Sequence, residues 1–145
     1  LVIIIMCNHC PYVHAVDDRL VQLQEKFAER NVQLVGINPN DGIKYPDDNF
    51  ENMVKRAEEK GYNFPYLRDE DQSIAKKYQA QCTPDIYVYN KERELCYHGQ
   101  IDDNWQHPEK VTSHDLSDAI EALLGGDKPS PNQYPSMGCS IKWKE

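Results

Sequence analysis

The chain has 145 residues, 28% of them charged and 39% in the hydrophobic set, which fits a soluble globular domain and excludes a disordered one. Asp and Glu number 24 against 16 Lys and Arg, so the net charge of −8 argues against a basic stripe for nucleic acid and against docking on an anionic membrane surface. One domain with a single core suits this length, and five cysteines, an odd and sparse set, point to reduced or reactive thiols in a cytoplasmic setting rather than a disulfide-stapled scaffold.

The first element is "LVIIIM", Leu1 to Met6, continuously apolar and β-branched as in a strand buried on both faces. It is far too short to span a bilayer and has neither the positive flank nor the cleavage site of a signal peptide. The chain starts on this run without Met, so further residues, and with them any targeting signal or anchor, are expected ahead of Leu1. Val13, Val16, Leu20, Leu23 and Phe27 then recur at helical spacing, predicting an amphipathic helix to about Arg30. Pro11 is tolerated only near a helix start, and the helix is expected to begin around Asn8. "VQLVGIN", Val32 to Asn38, is a second strand, which completes a βαβ unit with an expected right-handed crossover.

A Pro/Asn/Asp/Gly loop follows, then a helix from about Asp48 with Phe50, Met53, Val54 and Ala57 inward and Gly61 as its stop. "FPYLRD" suggests an edge strand, and residues 72 to 78 a short helix. In "CTPDIYVYNKERELCYHG", Ile86 and Val88 mark one strand, Asn90 to Arg93 a turn and Glu94 to His98 its hairpin partner. The "GQIDDNW" stretch is a solvated acidic loop or a surface lip carrying Asp102, Asp103 and Trp105. Ser113 can cap a last helix through Leu124, ended by Gly125 and Gly126. The fold class is therefore α/β with a mixed central sheet and a helical insertion after the first βαβ unit. Residues 1–126 form the domain, and 127–145 form a tail whose Ile141 and Trp143 give it something apolar to dock.

The chemistry sits in "CNHC", where the first strand gives way to the first helix. A thiolate at a helix N-terminus is favoured by the free N–H groups and the dipole, which makes Cys7 the expected nucleophile. Cys10, one turn on, is placed to resolve a mixed disulfide formed by Cys7. Asn8 and His9 between them tune the couple. A positive His9 lowers the thiolate pKa and moves the potential above the roughly −270 mV of thioredoxin, whereas an exposed loop His9 has no electronic role. His14 is either solvent-facing or one turn above Cys10 on a shared face.

A CxxC inside a βαβ unit, followed about 70 residues later by "CTPD", resembles the thioredoxin superfamily. The insertion after strand two and "FPYLRD" resemble its redoxin branch, the alkyl hydroperoxide reductase/thiol-specific antioxidant type. "CNHCPYV" with "GCSIKWK" is similar to a group of bacterial members. The resemblance spans nearly the whole chain. It implies a thioredoxin-like fold, disulfide exchange with protein or small-molecule thiols, no cofactor beyond the redox-active disulfide, Pro84 as a cis proline, and Thr83 as the contact to a substrate backbone. Two departures stand out. The acid that thioredoxins bury six residues before the first Cys is Leu1 here, and Asn8-His9 replaces Gly-Pro.

Cys82 and Cys139 are candidate additional redox thiols, Cys82 beside Thr83 and Cys139 as a resolving thiol delivered by the tail; Cys82 is alternatively a small buried residue. Cys96 is expected to pack in the core. Two rivals remain. Cys7, Cys10, Cys82 and Cys139 are enough sulfur for zinc or an iron–sulfur cluster, although no second CxxC supports it. A peroxidase of peroxiredoxin type needs Thr three residues before its reactive Cys, where this chain has Cys7 or Ile4.

Overall fold

Strand β1 (Val2–Ile5) is the central strand of the computed structural model, which describes all 145 residues, Leu1 to Glu145. It pairs in parallel with β2 (Leu34–Asn38), Val2 opposite Leu34, and antiparallel with β5 (Asp85–Tyr89), Val2 opposite Val88. The edges are β3 (Tyr66–Arg68), parallel to β2, and β6 (Leu95–Gly99), the antiparallel hairpin partner of β5. The five-stranded order is β3-β2-β1-β5-β6, and β4 (Cys82–Thr83) pairs separately with β7 (Cys139–Ser140). The helices are α1 (Pro11–Phe27), α2 (Phe50–Lys60), α3 (Ser73–Lys77) and α4 (Asp115–Leu124). None is long and apolar enough to cross a membrane.

Successive residues of a strand point to opposite faces, and both faces of β1 are covered. Val2, Ile4 and Met6 join Val13, Leu20 and Phe27 of α1 and Leu116 and Ile120 of α4 in one core. Ile3 and Ile5 join Ile37, Ala75, Tyr87 and the tail residue Ile141 in the other. This two-sided burial accounts for the unbroken apolar run.

Four expectations are corrected. Helix α1 starts at Pro11, not near Asn8, because Pro occupies the first helical position, and the preceding Cys10, extended at φ −147° and ψ 121°, is its N-cap. In α2 only Met53 is buried, while Phe50 and Val54 face solvent. That helix docks partly through charge, with Arg56 2.5 Å and Lys60 3.6 Å from the buried Asp17 of α1. The N-cap of α4 is His114, and Ser113 bonds the Asp115 side chain instead. The acidic loop is not simply solvated. Asp102 is buried against Arg19 at 2.8 and 3.0 Å, and Arg19 also donates to the carbonyls of Asn104 and Trp105. This clamp sets the Trp105 ring 4.2 Å from that of Tyr12.

The tail returns to the domain. The Asp41 N–H donates to the Lys142 carbonyl at 2.8 Å, the Lys142 N–H to the Asn40 side chain at 2.9 Å, and Ile141 is buried.

Candidate active site

Cys7 leaves the end of β1 and Cys10 opens α1, so the pair spans the strand-to-helix junction. The two residues between them are pinned by the turn at Pro46–Asp48. The Asn8 N–H donates to Asp48 Oδ1 at 2.6 Å, and the Asn8 amide donates to the Asp47 carbonyl at 2.8 Å. Tyr66 donates its hydroxyl to Asn8 Oδ1 at 2.8 Å. His9, partly exposed, places Nδ1 3.0 Å from Asp48 Oδ2. The exposed His14 bonds the Asn8 carbonyl through Nε2 and so braces the same turn.

Asp48 is the functional residue that sequence reasoning missed. It is fully buried and takes two further bonds, from the Asn38 amide at 3.2 Å and the Asn40 amide at 3.0 Å. Burial pushes its pKa up, but the donors Asn40, His9, Asn8 and Asn38 outweigh it and hold the carboxyl below its ordinary value. A buried carboxylate thus lies beneath the CxxC turn, supplied from the loop after β2 rather than from the Leu1 position. Its only sequence signal is an Asp just before a capping Asn in "YPDDN", which no periodicity marks.

Thr83 faces the pair from β4. Its Oγ1 is 3.4 Å from Cys7 Sγ, its carbonyl is 3.5 Å from Cys10 Sγ, and its peptide bond to Pro84 is cis. The tail completes the cluster, with Cys139 Sγ 2.9 Å from Cys10 Sγ. Cys82 is half-buried and turns its sulfur toward the Pro84 carbonyl at 3.9 Å. Cys96 is half-buried on the edge strand β6, near the Glu94 carbonyl at 3.4 Å, and does not join the core. No three His, Cys, Asp or Glu side chains are arranged to hold a metal ion.

The surroundings push the two thiols in opposite directions. Cys10 is held well below the ordinary thiol range, chiefly because the Cys7 thiol donates to it, with help from the Cys139 thiol and the Val13 N–H against the cost of burial. Cys7 moves the other way, because it is the donor to Cys10, because it is buried, and because the Asp48 charge lies near. The helix start adds a smaller contribution, because Cys10 is the N-cap and the Val13 N–H of the first turn points at its sulfur. His9 directs its ring nitrogen at Asp48, not at a sulfur. Cys139 is pushed up to about 11 by burial and by donating to Cys10, and Cys82 to about 11 by burial and the Asp85 charge.

The profile of the AhpC/TSA family matches residues 1–98. An uncharacterized conserved protein of Geobacillus kaustophilus is 47% identical and superposes with a TM-score of 0.92, over 99% of this chain and 76% of its own. A hypothetical protein of Sinorhizobium meliloti 1021 is 39% identical, with a TM-score of 0.93 over 99% of this chain and 79% of its own. A thioredoxin-like protein solved in its oxidized form shares the fold at 16% identity, with a TM-score of 0.69 over 88% of this chain and 78% of its own. No functionally curated protein matches the sequence. With more than half its length under that profile and close relatives along its whole length, the chain belongs to the AhpC/TSA family, in the redoxin branch of the thioredoxin superfamily.

Proposed function

We propose that this redoxin is a thiol–disulfide oxidoreductase working through the Cys7/Cys10 dithiol, with Cys10 as the sulfur that enters exchange. The observation that carries this reading is the convergence of both sulfurs on Thr83 beside its cis bond to Pro84, 3.4 and 3.5 Å away. The Cys10 thiolate attacks one sulfur of a substrate disulfide. That S–S bond breaks, and the departing thiolate takes a proton from solvent. Cys7 then gives up its proton and attacks the Cys10 sulfur. The Cys7–Cys10 bond forms as the second substrate thiol leaves with that proton. Two electrons pass from the couple to the substrate, with one proton supplied by Cys7 and one by solvent, and the same steps in reverse oxidise a substrate dithiol. No cofactor is required, and Asn8, His9 and Asp48 act as positioning residues that hold the turn.

The test uses Cys139→Ser, so that only the couple can close, treated anaerobically with one equivalent of oxidised glutathione. Peptide mapping is expected to find a Cys7–Cys10 disulfide and two thiols lost. A protein that keeps both thiols free, or stops at a stable glutathione adduct, contradicts the proposal. A second reading, peroxide reduction, is favoured by the Cys10 thiolate in a member of this family, but Cys7 stands where peroxiredoxins carry Thr. Hydrogen peroxide in the same experiment separates the two. Sulfenate at Cys10 forming faster than disulfide exchange would favour the peroxidase.

A further inference from the structure

The tail lies where an extended substrate would lie. Strand β7 pairs antiparallel with β4, Thr83 opposite Cys139 and Cys82 opposite Ser140, so the backbone edge beside the CxxC pair is taken by the chain's own C-terminal segment. Gly138 makes this fit possible. A Cβ there would come 2.4 Å from the Thr83 carbonyl oxygen and 2.9 Å from its carbon, both rigid backbone atoms. Ile141, buried against Ile3, Ile5 and Ile37, anchors the strand from the other side. The result is a sulfur–sulfur distance of 2.9 Å between Cys139 and Cys10. A disulfide bond is about 2.04 Å, so closure asks for a movement of roughly 1 Å. Cys7 and Cys10 are each 1% exposed, whereas Cys139 is only half-buried and is the member of the cluster that solvent reaches.

We propose that β7 is an internal substrate strand and Cys139 a third redox thiol, which carries the disulfide of the buried couple toward the surface as a Cys10–Cys139 bond. The inference rests on Cys7 and Cys10 being the redox couple. Starting from the Cys7–Cys10 disulfide, Cys139 loses its proton and attacks the Cys10 sulfur. The Cys10–Cys139 bond forms and the Cys7–Cys10 bond breaks, its electron pair remaining on Cys7, which takes up a proton. The disulfide migrates with no net oxidation, and an outside thiol then meets it at Cys139. Cys7 is the natural proton acceptor of the step, since Asp48 and burial favour its neutral form.

Two variants test this. Cys7→Ser, treated with one equivalent of oxidised glutathione, is expected to release both glutathiones and yield a Cys10–Cys139 cross-link by peptide mapping. A persistent Cys10–glutathione adduct with Cys139 free overturns the inference. Gly138→Ala, combined with Cys7→Ser, moves the strand without touching a sulfur, and the closure rate is expected to fall roughly tenfold or more, since displacements of about 1 Å carry losses up to ~100-fold. An unchanged rate overturns it. The Cys7–Cys10 closure measured in Cys139→Ser is independent of both. If that closure succeeds while these fail, the couple stands and only the internal substrate falls.

Discussion

Replacing Asp48 by Ala removes the carboxylate that organises the CxxC turn. The side chain is fully buried, and its oxygens accept from the Asn8 N–H, the Asn38 and Asn40 amides and the His9 ring at 2.6 to 3.2 Å. His9 can turn to solvent, but Asn8, Asn38 and Asn40 are buried and lose a partner. An unsatisfied buried donor costs about 1–3 kcal/mol, with part recovered where water enters the space left behind. The sum is not additive, and a loss of about 3–5 kcal/mol is expected, as when one partner of a buried charged network is removed. Against a total of about 5–15 kcal/mol this is a large fraction. Asp48→Asn keeps the shape and one acceptor oxygen, so its cost is set at about 1–3 kcal/mol. Equilibrium urea unfolding at pH 7 measures both. The folded pKa of Asp48 is lowered, so its stabilisation is present above the ordinary carboxylate pKa and is lost as pH falls through the depressed value. The gap between wild type and Asp48→Asn must therefore shrink in acid. A cost below about 1 kcal/mol for Asp48→Ala at pH 7 would refute the reasoning, because the donors would then have found other partners.

Thiolate absorbance near 240 nm should show one early deprotonation that belongs to the coupled thiols and disappears in Cys10→Ser. In Cys7→Ala the same step should move to higher pH, because Cys10 loses its main donor, and an early step surviving in Cys10→Ser counts against the assignment. Stabilising the reduced form through Cys10 should set the potential above the roughly −270 mV of thioredoxin, and equilibration with glutathione giving a lower value contradicts it. Arg19→Ala leaves the buried Asp102 without its ion pair and should cost about 2–4 kcal/mol, with a red shift in Trp105 fluorescence as the ring leaves Tyr12. Unchanged emission would mean that the loop is held by something else.

The βαβ unit, the edge strand at Tyr66–Arg68 and the 85–99 hairpin were legible because hydrophobic period and turn residues agree locally. The helix start was misread by giving Pro11 a place inside the first turn. The bias of a pre-proline residue toward extended backbone makes Cys10 the N-cap. Asp48 was invisible because its partners Asn8, Asn38 and Asn40 are gathered by the fold from separate segments, and an Asp in a polar loop has no pattern of its own. Phe50 and Val54 misled for the opposite reason. Their helical spacing promised an apolar face, but α2 is fastened partly by Arg56 and Lys60 to Asp17, an ion pair that spacing does not disclose. The return of the tail was legible in its apolar Ile141, which is buried, while Trp143 stays exposed; the close fit of Gly138 on Thr83 that brings Cys139 to Cys10 carries no local signal.

The central claim is that Cys10 is the entering sulfur and Cys7 the one that resolves. It is tested most directly by single-turnover reaction of reduced protein with oxidised glutathione, comparing Cys7→Ser/Cys139→Ser with Cys10→Ser/Cys139→Ser by intact mass. The account predicts a rapid, stable glutathione adduct on Cys10 in the first variant and none on the same timescale in the second. A rapid adduct on Cys7 in the second variant, with Cys10 unreactive in the first, would contradict it.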